Sequence, residues 1–244
     1  MLATLKLSLI LIREQCREPV GIFWALIAPA GFFCFANWSD RNIFLEEGGA
    51  FLLRAGWYLA YIGLMTALFG FGLYLIGRRE SGFIRTFAYA SRSRMQFIGA
   101  QFLASLTLSI LYGLFFMLVT SLAFQPNISS APLFALLIRF ICTTMILMVG
   151  CVTFSALPLT FQTASSLMSI LSMPLIMLGL ASTRTDAVAL HWINFVNPYF
   201  VAGEFISGGV TDFSVAPILH FVLLLALGIY GLLCFKINPI WSRY

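Results

Sequence analysis

Six long apolar stretches constrain this chain more than any other feature. They run over 20–38, 55–77, 97–124, 132–157, 160–182 and 214–235, and Arg139 is the only formal charge inside them. A helix needs about 20 apolar residues to cross the hydrocarbon of a bilayer. The stretches are continuously apolar and do not alternate with a period of two, so they predict helices and not barrel strands. The third and fourth are long enough to tilt or to run past the hydrocarbon. The expected architecture is one all-α integral membrane domain over 1–244 with six transmembrane helices.

Composition closes the soluble readings. Of 244 residues, 61% are hydrophobic and 9% charged, against about 25% charged in ordinary soluble domains. So few charges cannot solvate a folded surface of this size. A soluble enzyme, a disordered tail and a nucleic-acid module are excluded, and membrane lipid is the expected surrounding. The net charge of +5 is then a matter of topology. Three Lys/Arg lie in 1–19, five between spans two and three, and two in the carboxyl tail, whereas Arg41, Arg54 and Arg184 lie on the other side. Ten against three puts both termini in the cytoplasm, with the chain multi-pass in the cell (cytoplasmic or inner) membrane.

Residues 1–19 are too polar to span. Lys6, Arg13 and Arg17 share one arc of a helical wheel, and Leu5, Leu9, Ile12 and Cys16 an adjacent one. That pattern predicts an amphipathic helix in the membrane interface, ended by Pro19. Residues 183–213 are rich in aromatic and apolar side chains and predict short helices lying in, or re-entering, the interface before span six. Arg139, about two turns into span four, needs a partner or water at that depth. Glu204, Asp212 and Asp186 are the candidate partners.

Several chemistries are missing. No GxxxxGK[ST] phosphate loop exists, and the only lysines are Lys6 and Lys236. Only His191 and His220 exist, and the first is expected outside the bilayer, so a facing pair of haem ligands is not predicted. The five cysteines form no CxxC or other zinc spacing, no serine is paired with a base, and no row of intramembrane carboxylates suggests ion coupling. The expectation is a non-catalytic subunit with no metal or cofactor of its own, drawing energy from a partner.

The layout resembles the permease subunits of ABC-2 type (type-2) exporters over essentially the whole chain. The resemblance is carried by Arg13-Glu14-Gln15-Cys16-Arg17-Glu18-Pro19 before the first span, and by Pro29 within it. It is carried next by Arg79-Glu80-Ser81-Gly82-Phe83-Ile84-Arg85, similar to the family's Arg-Glu-x-Gly pattern, and by Asn197-Pro198 ahead of span six. Ala90 stands where the family often has Pro, and Gln101 where it often has Lys. The resemblance implies two permease copies, as a homodimer or a heterodimer with a related permease. Two cytoplasmic ABC ATPase subunits would carry ATP and Mg. It further implies a cytoplasmic coupling helix near 78–94, where Arg79, Glu80, Gly82, Arg85, Arg92 and Arg94 would meet the ATPase. A second reading gives those arginines only to topology and lipid phosphates.

Two stripes are candidates for a substrate path. At about 100° per residue, Gln162, Ser165, Ser169 and Ser172 share a face of span five, and Tyr58, Tyr61, Met65, Phe69 and Gly72 share one of span two. Related exporters build a central cavity from these two spans; ordinary helix packing is the competing explanation. Pro174 is expected to bend span five, while Arg139, Asn197, Pro198 and Glu204 are expected to have structural roles on the external side. The function implied is ATP-driven export of an amphiphilic small molecule, lipid or antimicrobial peptide by alternating access. The alternative is a non-transport scaffold or an ATP-independent carrier.

Overall fold

A computed structural model describes residues 2–81, 91–182, 196–208 and 215–235. Among the described residues there are eight helices and no strand: α1 (Leu2–Gln15), α2 (Pro19–Glu46), α3 (Gly48–Glu80), α4 (Ser91–Phe124), α5 (Ser130–Ser155), α6 (Phe161–Ser182), α7 (Pro198–Ser207) and α8 (Val215–Leu233). Helices α2 to α6 are each long and apolar enough to cross a membrane; α8 is apolar but shorter. Broad apolar faces stay exposed, such as Phe35 on α2, Ile170 on α6 and Leu233 on α8. Such faces are stable in lipid and would not be in water.

Helix α3 is the most buried of the five and forms the axis of the bundle. One end of it packs into an aromatic cluster centred on Phe33 of α2. That ring stands 5.1–6.1 Å, centroid to centroid, from Phe44, Phe51, Tyr58, Phe116 and Phe124. Most of these contacts are edge-to-face, the arrangement that the ring quadrupole favours.

The spans at 20–38 and 55–77 are longer in the structure than in the sequence reading, and one interaction explains both. The 3-10 turn Trp38–Asp40 lets α2 continue to Glu46. Arg54 forms an ion pair with Asp40, donates to Asn37 Oδ1 at 2.6 Å and lies 5.2 Å over the Phe44 ring. Charges that mark the ends of apolar stretches are therefore neutralised inside the α2–α3 connection, and the helices run through them.

Helix α1 is not a free interfacial helix. It packs along α4, with Ser8, Leu11 and Gln15 buried one or two turns apart, while Leu5, Leu9 and Cys16 of the expected apolar arc are exposed. The arc facing α4 includes polar residues, which a search for apolar periodicity passes over.

Helix α7 is wedged against α3. A Cβ built on Gly203 would lie 2.2 Å from Trp57 Cε3, and one on Gly179 of α6 would lie 2.5 Å from Tyr199 Cδ1. Both contacts need a residue with no side chain. Gly203→Val is expected to overpack the α3–α7 contact by about 1–3 kcal/mol, read as a lower melting temperature and a smaller monodisperse yield in detergent. Gly49→Val, where nothing lies within 4 Å, is the control.

Candidate functional site

A cavity of about 1220 Å³ lies between α2, α3 and α6. The α3 wall carries Tyr58, Tyr61, Met65 and Phe69, four of the five residues of the span-two stripe. The α6 wall carries Ser169 and Ser172 together with Met173 and Met177. Gln162 is exposed, and neither it nor Ser165 lines the cavity. Gly72, the last member of the α3 stripe, packs instead against Met168 and Cys151.

The serine hydroxyls also differ from expectation. Ser169 Oγ donates to the Ser165 carbonyl at 2.8 Å and Ser172 Oγ to the Ser169 carbonyl at 3.1 Å. A hydroxyl satisfied by its own helix does not by itself require water or a neighbouring helix. The wall is therefore less polar than the sequence suggests.

The third wall was not signalled by any polar stripe. Trp24, Phe32 and Phe35 of α2 line the cavity, and all three are exposed to its space or its rim. Tyr61 Oη reaches the Trp24 carbonyl at 3.4 Å across it. Charge is concentrated at one end, where Glu18 and Arg78 lie with the neutral polar Gln15 and Ser81, and Arg78 forms an ion pair with Glu14 of α1.

At that same end Arg79 turns the opposite way. The residue is 3% exposed, and its guanidinium donates to the carbonyls of Ser155 at 2.6 Å, Leu157 at 2.8 Å and Leu159 at 2.5 Å. These carbonyls form the turn between α5 and α6. Glu80 accepts from the Phe161 N–H in the first turn of α6, where Thr160 and Thr163 also cap each other reciprocally. The cation thus meets the carbonyl end of one helix and the carboxylate meets the amide end of the next, as helix dipoles favour. Arg79, expected among the residues that meet a soluble partner, places three guanidinium N–H donors on carbonyls of its own chain. Gly82 and Arg85 lie outside the described residues. Arg92 stands in the first turn of α4 and Arg94 is half-buried there.

On the other side of the bundle, Asn197 caps α7. Its Oδ1 accepts from the Tyr199 and Phe200 N–H groups at 3.0 and 3.4 Å, and its Nδ2 donates to the Leu175 carbonyl of α6 at 2.7 Å, beside Pro174. Pro198 occupies the first helical turn, where its missing N–H costs nothing. Tyr199 Oη donates to the Trp57 carbonyl at 3.3 Å. Helix α7 therefore joins both polar-bearing walls of the cavity. Arg139 is half-buried and makes no ion pair with Glu204, which is exposed on α7; Asp186 and Asp212 lie outside the described residues.

Five long apolar helices, with irregular backbone tied down inside the protein, define a polytopic helical membrane protein. No family model and no solved structure matches the chain. The protein McbE of Escherichia coli is 32% identical to it over 241 residues, 99% of either chain. The chain belongs to the McbE family.

Arg79→Met would keep an unbranched apolar stem, remove the guanidinium and leave three carbonyls without their donor. The expected loss is about 2–4 kcal/mol, read as a fall in melting temperature, with proteolysis appearing near 155–160. Glu80→Gln, which retains an acceptor, is expected to lose less.

Proposed function

We propose that this chain is the membrane-spanning permease subunit of an ATP-driven exporter of the ABC-2 type. Two copies of it, or one with a related permease, would work with two cytoplasmic ATPase subunits that bind ATP and Mg. Helices α2 to α6 and α8 would make six spans, with both termini in the cytoplasm. The cargo would be an amphiphilic small molecule, a lipid or an antimicrobial peptide, taken from the cytoplasm or the inner leaflet.

The observation that carries this reading is the cavity of about 1220 Å³ between α2, α3 and α6. It is walled by aromatic rings and methionines and has a guanidinium and a carboxylate at one end. Concave, mainly apolar sites with a few polar groups are the usual form of small-molecule sites. The Arg79–Glu80 clamp supports the same reading. It ties the end of α3, next to the proposed coupling segment, to the start of α6, so movement there would reach two cavity walls together.

Co-purification with a co-expressed ABC ATPase tests the partner, and ATPase stimulation by candidate cargos tests transport. The permease alone is expected to hydrolyse no ATP; saturable hydrolysis by the purified chain overturns the assignment. Ser169→Leu is expected to change cargo preference or stimulation while the complex still assembles, because the cavity has room for the side chain. Loss of assembly with no change in preference would make Ser169 a packing residue.

A further inference from the structure

The face that α3 presents to the cavity recurs at every fourth residue: Tyr61, Met65, Phe69, Leu73, Gly77 and Ser81. An unbroken α-helix cannot keep such a row together. At about 100° per residue, five steps of four carry it roughly 200° around the helix. Helix α3 is not unbroken. Residues Thr66–Leu73 form a π segment, whose wider turn takes back about one residue, or roughly 100°. In the α phase set by Tyr58, Tyr61 and Met65, Ile76 and Arg79 would fall on the cavity face and Arg78 would point away. In the structure Ile76 and Arg79 are buried, and Leu73 and Arg78 line the cavity.

A polar network from α4 holds the π segment. Ser105 Oγ donates to the Gly70 carbonyl at 2.8 Å, and Gln101 Nε2 donates to the same carbonyl at 3.0 Å and to Ser105 Oγ at 3.3 Å. Gln15 Nε2 of α1 adds a longer bond to Ser105 Oγ at 3.4 Å. Gln101 and Ser105 are both completely buried, and Gln101 Oε1 meets no partner among the described residues. The amide is therefore used for its donor alone. In an apolar interior a carbonyl released from the helical ladder is costly unless a donor reaches it.

We propose that Gln101 and Ser105 are positioning residues that fix the π register of α3, and that this register assigns Arg78 to the cavity mouth and Arg79 to the α5–α6 turn. Without the two donors the Gly70 carbonyl returns to the α ladder, and the last turns of α3 rotate by about one residue. The inference concerns the helix register and does not require transport.

The test uses full-length protein with its five native cysteines replaced. With the network intact, Leu73→Cys labels with a small maleimide and Ile76→Cys does not; Glu14→Cys with Arg78→Cys is bridged through disulfides by a short bis-methanethiosulfonate that spans the reach of the Arg78–Glu14 ion pair. In the Gln101→Met/Ser105→Ala background the labelling pattern exchanges and the bridge is lost. Ser105→Thr, which keeps the hydroxyl, restores the original pattern. General loosening would raise labelling at both positions, and that result overturns the proposal, as does an unchanged pattern. If the double variant does not insert, Ser105→Ala alone carries the test, with partial loss of the bridge expected and full retention overturning it. A Leu73→Cys that stays unlabelled with the network intact counts against a hydrated cavity, and the bridging arm then decides the register by itself.

Discussion

A backbone carbonyl in hydrocarbon must find a donor within the protein, and this bundle is organised by where its carbonyls leave the regular ladder. Arg79 serves the turn between α5 and α6, and Gln101 and Ser105 serve the π segment of α3. Asn197 and Thr153 add bonds to carbonyls within regular helix, Leu175 of α6 at 2.7 Å and Leu227 of α8 at 2.7 Å. In each case the donor lies outside the helix that it serves. The repair of an irregular backbone is therefore also a tertiary contact, and few other polar contacts join the long helices.

Two of these repairs meet on α3, which explains its central position. Its π segment is gripped from α4 and its last turn grips the α5–α6 turn, while the opposite surface is left to the cavity. The wall with room beside it is thus carried on a helix fixed from behind. On the α2 side the polar ties are the Tyr61–Trp24 bond at 3.4 Å and, at the far end of α3, the contacts of Arg54 with Asp40 and Asn37; near the mouth α1 adds the Arg78–Glu14 ion pair, with its carboxylate 43% exposed. An exposed ion pair contributes little, whereas a buried guanidinium on three carbonyls is costly to remove.

The helices themselves were legible because apolar runs of such length have few other folds open to them. Tyr58, Tyr61, Met65 and Phe69 were legible as a stripe because they precede the main change of register in α3. Gly72 was misplaced for the converse reason: helical spacing was extrapolated through Thr66–Leu73, and no residue type announces a π segment. Arg79 looked like its neighbours in a basic run, and only burial separates it from Arg78. Ser169 and Ser172 line the cavity, but the polarity that singled them out is spent on their own helix, which satisfies both hydroxyls. Gln101 and Ser105, four apart on an otherwise apolar helix, were the available signal for the network on Gly70.

The Arg79 clamp also bears on how the protein is made. Its cation lies near the end of the second long helix, but the carbonyls that receive it belong to a turn more than seventy residues further along the chain. While α2, α3 and α4 are the only helices in the bilayer, the guanidinium has no internal partner and stays hydrated at the headgroups, where a long cationic side chain is at little cost. The clamp closes only when α5 and α6 present their turn, and closing it removes the arginine from water.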